Sequence, residues 1–337
     1  MAIKKGKYTV ELSGGIVISH SAGVAGKKEK EGLLSGYFDK VYDDDRMGEV
    51  SWEKAESALQ TAALDTLLQK ARLSPADIEI LFAGDLLPQC IASTFGLRNF
   101  GIQMYGQYGA CSTMAQALSV GALYVESGAA ERAVAVTSSH FCSAERQFRL
   151  PVEYGGQRQP TAQWTVTGAG AALLERGVRG VMIKRLTAGR IRDMKIKDAG
   201  NMGAAMAPAA ADTLMRFFAD TATRPSDYDL ILTGDLGIVG SQLLKELLLS
   251  EGIDISSNHN DCGCMIYDIS AQDVHAGGSG CGCCASVFCT YIMQKLISQE
   301  LSNILFIATG ALMSPTSSQQ GESIPSIAHL VQLTSVK

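Results

Sequence analysis

The sequence predicts an α/β protein made of two similar halves, residues 1–176 and 177–337. Three observations lead to this fold class: an internal repeat, short apolar strands that alternate with helices, and one charge-poor helix in each half. A repeat of this size indicates that each half forms a similar arrangement of elements. Buried strands that alternate with helices predict a largely parallel sheet in each half.

The repeat is clearest where a predicted strand follows a predicted helix. Residues 75–86 align without gaps to residues 225–236, a constant offset of 150 residues. Both segments end in Gly-Asp-Leu, so Asp85 and Asp235 follow equivalent strands. An aspartate that follows a glycine at a strand end usually forms a turn. A role for the two carboxylates in a site is the alternative interpretation.

Apolar periodicity and turn residues place the remaining elements in order along the chain. Continuous apolar runs predict strands at 16–24, 78–83, 133–137, 168–174, 181–186, 230–233, 304–308 and 327–333. Apolar faces at helical spacing predict helices at 51–71, 202–219 and 237–249. Polar or irregular segments predict connections at 26–50, 86–109, 138–167 and 258–273.

Two helices with few or no charged residues are expected at the centre, because a helix that is apolar on all sides is buried. The first opens at Cys111 or Ser112, and the second covers 280–296. Small side chains on both helices predict close packing between the two sheets. A thiol at a helix start can have a lowered pKa and act as a nucleophile, and an anion can bind there. A buried cysteine can also be a small hydrophobic residue.

The composition disfavours several classes of function. The 337 residues include 29 basic and 34 acidic side chains, a net charge of −5, which disfavours general binding of nucleic acid or anionic membrane. We expect neither a signal peptide nor a membrane span, because no apolar run is long enough. Nine cysteines are then expected to be reduced thiols inside a cell. We expect no metal site, because the cysteine spacings differ from those of zinc ligands.

Five segments together resemble a known fold. They are 14–26 (GGIVISHSAGVAG), 82–90 (FAGDLLPQC), 108–118 (YGACSTMAQAL), 233–237 (TGDLG) and 273–286 (DVHAGGSGCGCCAS). Their order and spacing resemble the thiolase-like fold, in which two α/β halves have central buried helices between two mixed sheets. Within that fold the chain is most similar to the stage V sporulation protein AD (SpoVAD) family of spore-forming bacteria, and the similarity covers essentially the whole chain.

The resemblance also predicts which catalytic groups are kept. It implies that Cys111 has the position of the acyl-carrying cysteine of condensing enzymes, with His275 in the loop beside it. Those enzymes have a further histidine after a strand of the second half, where this chain has Asp235. A carboxylate would repel the negative charge that the histidine stabilises. The second thiol of degradative thiolases is also absent, since the corresponding stretch, 309–312, reads TGAL. We therefore expect a protein that is not an enzyme.

The family resemblance implies a binding role instead. Its members are associated with uptake of dipicolinic acid (pyridine-2,6-dicarboxylic acid) into the developing spore and with its release in germination. They are implied to act beside the membrane-embedded SpoVA proteins, as peripheral proteins of the forespore or spore inner membrane. The resemblance further implies a homodimer with residues 86–109 at or near the interface, no resident cofactor, and calcium as a companion of the ligand.

The candidate ligand-binding residues lie at strand ends, in a glycine loop or at the start of a central helix. They are Cys111, His275, Asp85, Ser139, His140, Asp235, Gly277 and Gly278. The helix start and the glycine loop would supply backbone N–H groups to a doubly anionic ligand, and His275 would supply an imidazole. The two aspartates are candidates to contact calcium. His140 either lines the pocket or is a surface histidine.

Two other functions stay open from the sequence alone. An acyltransferase that loads Cys111 from an acyl-CoA or an acyl carrier protein would keep the nucleophile and one histidine. A purely structural subunit with a closed pocket is the third alternative. Acylation of Cys111 would distinguish the enzyme from both other functions.

Overall fold

The computed structural model describes residues 2–148 and 157–336. Two half-sheets form the centre of the fold. The strands are β1 (Ile3–Lys5), β2 (Thr9–Glu11), β3 (Ile16–Ala25), β4 (Lys40–Val41), β5 (Ile80–Gly84), β6 (Gln103–Gly106), β7 (Arg132–Ser139), β8 (Trp164–Thr165), β9 (Gly168–Arg176), β10 (Val181–Thr187), β11 (Leu230–Thr233), β12 (His259–Asp261), β13 (Gly278–Ser279), β14 (Asn303–Ala311) and β15 (Ser326–Ser335). The helices are α1 (Lys27–Lys30), α2 (Trp52–Ala71), α3 (Ile91–Leu97), α4 (Thr113–Glu126), α5 (Phe141–Phe148), α6 (Met202–Thr221), α7 (Gly237–Ser250), α8 (Cys262–Met265), α9 (Cys281–Val287), α10 (Met293–Ile297) and α11 (Pro315–Gln319). A π-helical segment, Phe288–Ile292, makes α9 and α10 one continuous helix.

The same strand order occurs in both halves. It is β6-β5-β7-β9-β3 in the first half and β12-β11-β14-β15-β10 in the second. The first two pairings in each row are parallel and the next two are antiparallel. Each half-sheet is therefore mixed. The expectation of a largely parallel sheet is wrong, because two of the four strand pairings in each half-sheet are antiparallel. The two half-sheets join where Ile18 pairs with Val181 and Val17 with Met182.

The sequence repeat is also a repeat of the backbone. Helices α2 and α6 both contain 20 residues and are again offset by 150 positions. Each ends in a left-handed residue, Arg72 at φ 56° and Ala222 at φ 54°. A short 3-10 helix that begins with proline follows in both halves and leads into β5 or β11. The repeat predicted from the sequence is therefore confirmed.

The charge-poor segments form the two central helices, as predicted. Helix α4 contacts strands of both half-sheets and also contacts α9. Helix α9 is buried along its whole length and lies directly on β9. A Cβ atom at Gly170 of β9 would lie 2.3 Å from the carbonyl oxygen of Ala285, so this contact requires a glycine.

The predicted connections contain elements that the sequence did not reveal. Segment 86–109 contains α3 and β6, segment 258–273 contains β12 and α8, and segment 138–167 contains α5 and β8. These elements are too short for a strong periodic signal. Residues 149–156 of the last segment lie outside the described residues. None of the described helices combines the length and the apolar character that crossing a membrane requires.

A buried carboxyl group at Glu29 connects the two halves. It accepts hydrogen bonds from the hydroxyl of Tyr267 and from the backbone N–H of Thr167, the latter at 3.1 Å. Burial raises the pKa of Glu29 from 4.5 to about 7. Because the pKa is raised on folding, this group contributes stability that is fully present below about pH 4.5 and is lost as the pH rises through 7.

Replacing Glu29 with glutamine should therefore flatten part of the pH dependence of stability. The shift corresponds to a change of about 3 kcal/mol in the free energy of unfolding of the wild type across this window. Urea denaturation between pH 4.5 and 8 measures it. The exposed neighbour Glu31 provides the control, since Glu31→Gln should keep the wild-type profile. Equal pH profiles for both variants would contradict the assignment.

Candidate functional site

A cavity of about 40 Å³ lies where the starts of the two central helices approach each other. Cys111, which precedes α4, and Ser279, which precedes α9, both line it. This volume has room for about three water molecules. The other lining residues are Leu86, Tyr108, Ala110, Ala144, Glu145, Phe148, Thr165, Met202, Ala311 and Met313. None of the described lining residues is a histidine, lysine or arginine.

A strained turn presents Cys111 to the cavity. The preceding residue, Ala110, has a φ of 49°, which is unfavourable for a residue with a Cβ atom. The hydroxyl of Thr113 donates to the carbonyl of Ala110 at 2.5 Å and stabilises the turn. Strand β14 passes so close that a Cβ atom at Gly310 would lie 2.1 Å from the carbonyl oxygen of Gly109. The position of Cys111 is thus fixed by contacts from both halves.

The thiol of Cys111 is held in its protonated form. Burial is the largest cause that raises its pKa well above the ordinary value, and the carboxyl of Asp235, which is hydrogen-bonded to the thiol, raises it further. The backbone N–H of Gly280 acts in the opposite direction and is a smaller effect. The interpretation of Cys111 as a buried hydrophobic thiol is therefore favoured over an activated nucleophile.

Iodoacetamide should accordingly label Cys111 slowly near neutral pH, because the thiolate is the reacting form. At pH 8.5, Asp235→Asn should label at least about tenfold faster, because a neutral amide no longer opposes the thiolate, and tenfold corresponds to about one pKa unit. Mass spectrometry of the Cys111 peptide over time gives both rates. Asp268→Asn, at a half-buried turn whose carboxylate accepts the hydroxyl of Ser270, serves as the control. Rapid labelling of the wild type would contradict the assignment.

Asp235 lies directly behind the cavity, after the end of β11. Its Oδ2 accepts hydrogen bonds from the Ser279 hydroxyl at 3.1 Å and the Gly280 N–H at 2.8 Å. Its Oδ1 accepts one from the Thr309 hydroxyl at 2.9 Å. Burial raises its pKa from 3.8 to about 7. The structure thus brings Asp235 and Cys111 together, and the carboxyl changes between its neutral and its ionised form near physiological pH.

Asp85, the repeat equivalent of Asp235, has a structural environment. Its carboxylate accepts backbone N–H groups of Leu87 at 2.9 Å and Ser93 at 2.8 Å, and also the Ser93 hydroxyl at 2.6 Å. It therefore caps the start of α3, and the turn interpretation is correct for this residue. Over residues 2–148 and 157–336, no group of three His, Cys, Asp or Glu side chains is placed to bind a metal ion.

The structure corrects the prediction for the glycine loop. The His275 imidazole does not line the cavity, and its Nε2 lies 3.1 Å from Oδ1 of the exposed Asp273. Gly278 pairs with Trp164 between β13 and β8, and the carbonyl of Gly277 accepts the Trp164 N–H at 2.8 Å. This pairing places Ser279, rather than His275, Gly277 or Gly278, in the cavity wall. His275 is therefore not among the described residues that line the Cys111 cavity, and its role in ligand binding stays a prediction.

Ser139 and His140 are buried and engaged in contacts between elements. The Ser139 hydroxyl donates to the carbonyl of Val166 at 2.7 Å and accepts the N–H of Gly282 at 3.1 Å. His140 Nε2 lies 2.7 Å from the carbonyl of Asp45, and its Nδ1 accepts a backbone N–H. Burial lowers the pKa of His140. Neither residue lines the Cys111 cavity, and His140 is not at the surface.

Several important residues were missed from the sequence. Tyr108, Thr165 and Glu145 line the cavity but lie in segments that were expected to be connections. Burial raises the pKa of Tyr108 to about 12, so its hydroxyl remains a donor at neutral pH. Ser279 lies within the motif at 273–286. Its position directly before the second central helix could have indicated that it belongs to the site. Asp261 gave no signal, because its partners are mainly backbone N–H groups.

Comparison with known proteins identifies relatives of the whole chain. Residues 6–334 match the family model "Stage V sporulation protein AD (SpoVAD)". The stage V sporulation protein AD of Bacillus subtilis (strain 168) is 45% identical over 324 residues, which cover 96% of each chain.

Two similar solved structures are much more distant in sequence. One is 3-oxoacyl-[acyl-carrier-protein] synthase III from Aquifex aeolicus VF5, with a TM-score of 0.58, 14% identity and coverage of 95% of this chain and 100% of that one. The other is cerulenin-bound OleA of Xanthomonas campestris, with a TM-score of 0.57, 14% identity and coverage of 99% of this chain and 98% of that one. At these identities the likeness shows the fold alone. The chain therefore has a thiolase-like fold and belongs to the stage V sporulation protein AD family.

Proposed function

We propose that this protein binds dipicolinic acid in the Cys111 cavity and is not an enzyme. The observation that carries the proposal is the pairing of Cys111 with Asp235 in place of a histidine. An acyl-carrying cysteine has to become a thiolate, which a neighbouring carboxyl and burial both oppose. The described part of the cavity wall offers no imidazole to polarise a carbonyl. A protein that has the cavity but lacks the groups needed for acyl transfer is better explained as a binding protein than as an enzyme.

The lining suits a small flat ligand that carries carboxylates. The hydroxyl of Tyr108 can donate a hydrogen bond at the cavity wall, and Phe148 and Met202 provide apolar surface. The hydroxyls of Thr165 and Ser279 donate to Glu145 and Asp235 in the free protein, and each has to turn away from that carboxyl to donate to a ligand. Each hydrogen bond to a charged carboxylate contributes about 1.5–3 kcal/mol, so two or three of them support micromolar binding. The ligand is larger than the present cavity. Binding therefore requires movement of lining side chains, for which flexible methionines such as Met202 and Met313 are well suited.

The proposed role is uptake of dipicolinic acid into the developing spore and its release in germination. Membership of a sporulation protein family supports this setting. In this proposal the protein is peripheral at the forespore or spore inner membrane and acts beside the SpoVA membrane proteins. Calcium would enter with the ligand rather than as a resident cofactor.

We also propose that the protein is a homodimer. Strand β6 is the outermost strand of the first half-sheet, and its Tyr105 side chain is 54% exposed. An outer strand presents unpaired N–H and C=O groups that a second copy can satisfy. Light scattering should therefore give a mass near twice 35.7 kDa. A mass of one chain at micromolar concentration would contradict the dimer.

Titration calorimetry tests the binding function directly. The purified protein is titrated with dipicolinate, with and without calcium, and with pyridine-3,5-dicarboxylate as the control. We expect saturable binding of the 2,6 isomer and none of the 3,5 isomer. No heat and no displacement up to millimolar dipicolinate would overturn the proposal. A mass increase on Cys111 after incubation with acyl-CoA would then favour an acyltransferase.

A further inference from the structure

A buried acid next to a binding cavity has a consequence for any anionic ligand. Asp235 is fully buried and contacts two residues that line the cavity, Cys111 and Ser279. An ionised carboxylate in this position repels a doubly negative ligand, and low local polarity strengthens the repulsion. The charge state of Asp235 therefore affects whether such a ligand can stay, in addition to the carboxyl of Glu145, which lines the cavity directly.

The groups that face Asp235 show how it can take up a proton. Three of its partners, the hydroxyls of Ser279 and Thr309 and the thiol of Cys111, can each turn from donor to acceptor. Only the N–H of Gly280 is a fixed donor. A protonated Asp235 can thus donate to Thr309 through Oδ1 while Oδ2 keeps its contacts with Ser279 and Gly280.

The other titratable groups around Asp235 are thiols and one second carboxyl. The thiols are those of Cys111, Cys262, Cys283 and Cys284. The carboxyl is that of Asp261, whose two oxygens accept three backbone N–H groups and the Thr233 hydroxyl. Burial raises the pKa of Asp261 as well, but its hydrogen-bond donors oppose this shift, because fixed N–H donors favour the charged form of a carboxylate. The negative charge of the pair is therefore placed on Asp261 and the proton on Asp235.

We propose that Asp235 binds one proton when the cavity takes up its dianionic ligand, so that binding is proton-coupled. The inference rests on the proposed binding of dipicolinate and extends it to a pH-dependent affinity. Below about pH 7 Asp235 is already neutral in the free protein, and the affinity is constant. Above that pH each unit should weaken binding about tenfold, because one proton has to be taken from solvent.

Calorimetry of the full chain with dipicolinate between pH 6 and pH 9 tests the proposal. Repeating the titration at pH 8.5 in two buffers with different ionisation enthalpies gives the number of protons taken up, which we expect to be close to one. The dissociation constant should rise about 50-fold from pH 7 to pH 9, because Asp235 is already half ionised at pH 7. In Asp235→Asn, whose amide resembles the neutral acid, the affinity should be independent of pH and the proton count close to zero.

Glu29→Gln provides a matched control. Glu29 is also a buried carboxyl with a pKa of about 7, but it is not part of the cavity wall. Glu29→Gln should keep the wild-type pH dependence of the affinity for dipicolinate. Saturable wild-type binding with constant affinity and no proton uptake would overturn the proton coupling and leave the binding function intact. Absence of binding at every pH would overturn both. The wild-type proton count decides the question even if Asp235→Asn fails to fold.

Discussion

Replacing Asp261 with alanine should lower the free energy of unfolding by at least about 3 kcal/mol. Its carboxylate accepts the N–H groups of Leu236 at 2.8 Å and Gly237 at 2.9 Å at the start of α7, and that of Cys264 at 3.2 Å in α8. It also accepts the Thr233 hydroxyl at 2.6 Å. Alanine leaves these donors without their acceptor, and most of them are in the interior. Chemical denaturation measures the loss.

The exposed Asp254 offers a matched control for this variant. It accepts a single N–H, that of Ser256 at 2.9 Å, so Asp254→Ala should change stability by only about 0.5 kcal/mol. Asp261→Asn, which keeps one acceptor oxygen, should fall between the wild type and Asp261→Ala. A loss below about 1 kcal/mol in Asp261→Ala would show that the carboxylate does not organise the two helix starts.

Filling the cavity at Ala144 should weaken dipicolinate binding by at least about 100-fold, which is about 2.7 kcal/mol. Ala144 is 2% exposed and packs with Leu86, Cys111 and Cys281. The added carbon atoms of Ala144→Leu occupy the space of about 40 Å³ next to Cys111, so the ligand and the side chain exclude each other. Titration calorimetry measures the affinity.

Overpacking costs about 1–3 kcal/mol in stability, so the thermal midpoint has to be measured together with binding. Ala144→Val adds fewer atoms and should give a smaller loss of affinity with little loss of stability. The same enlargement at the exposed Ala76 should leave binding unchanged. Wild-type affinity in a folded Ala144→Leu protein would place the ligand elsewhere.

The parts of the fold that the sequence predicted well are those with a strong internal signal. The offset between Asp85 and Asp235 revealed the repeat, and the scarcity of charge in 280–296, where Lys295 is the one charged residue, revealed the second central helix. Antiparallel strands such as β9 and β15 could not be distinguished from parallel ones, because a buried strand is apolar in either direction. Helix α5 has too few turns for a clear apolar stripe.

The candidate site was predicted less completely than the fold, for a physical reason. Cys111 and Asp235 were found because each occupies a defined place, one at a helix start and one at a strand end. His275 was misplaced because the pairing of β13 with β8, which directs the loop, depends on backbone hydrogen bonds. Side-chain chemistry in the sequence does not reveal such bonds. Ser279 lies four residues after His275, and the backbone of β13 places it in the wall of the Cys111 cavity.

The position of β15 in its half-sheet has a consequence for synthesis on the ribosome. All five strands of the first half-sheet exist once Arg176 has been made, whereas the second half-sheet lacks β15, which lies between β14 and β10, until Ser335. At typical rates of translation this delay is roughly 8–30 s. During that time the first half can complete its sheet. In the nascent chain the edge that faces β15 stays open on β10 from Thr187 onwards and on β14 from Ala311 onwards. We therefore expect chaperones to bind the unpaired edges of β10 and β14 during synthesis, rather than the completed sheet of the first half.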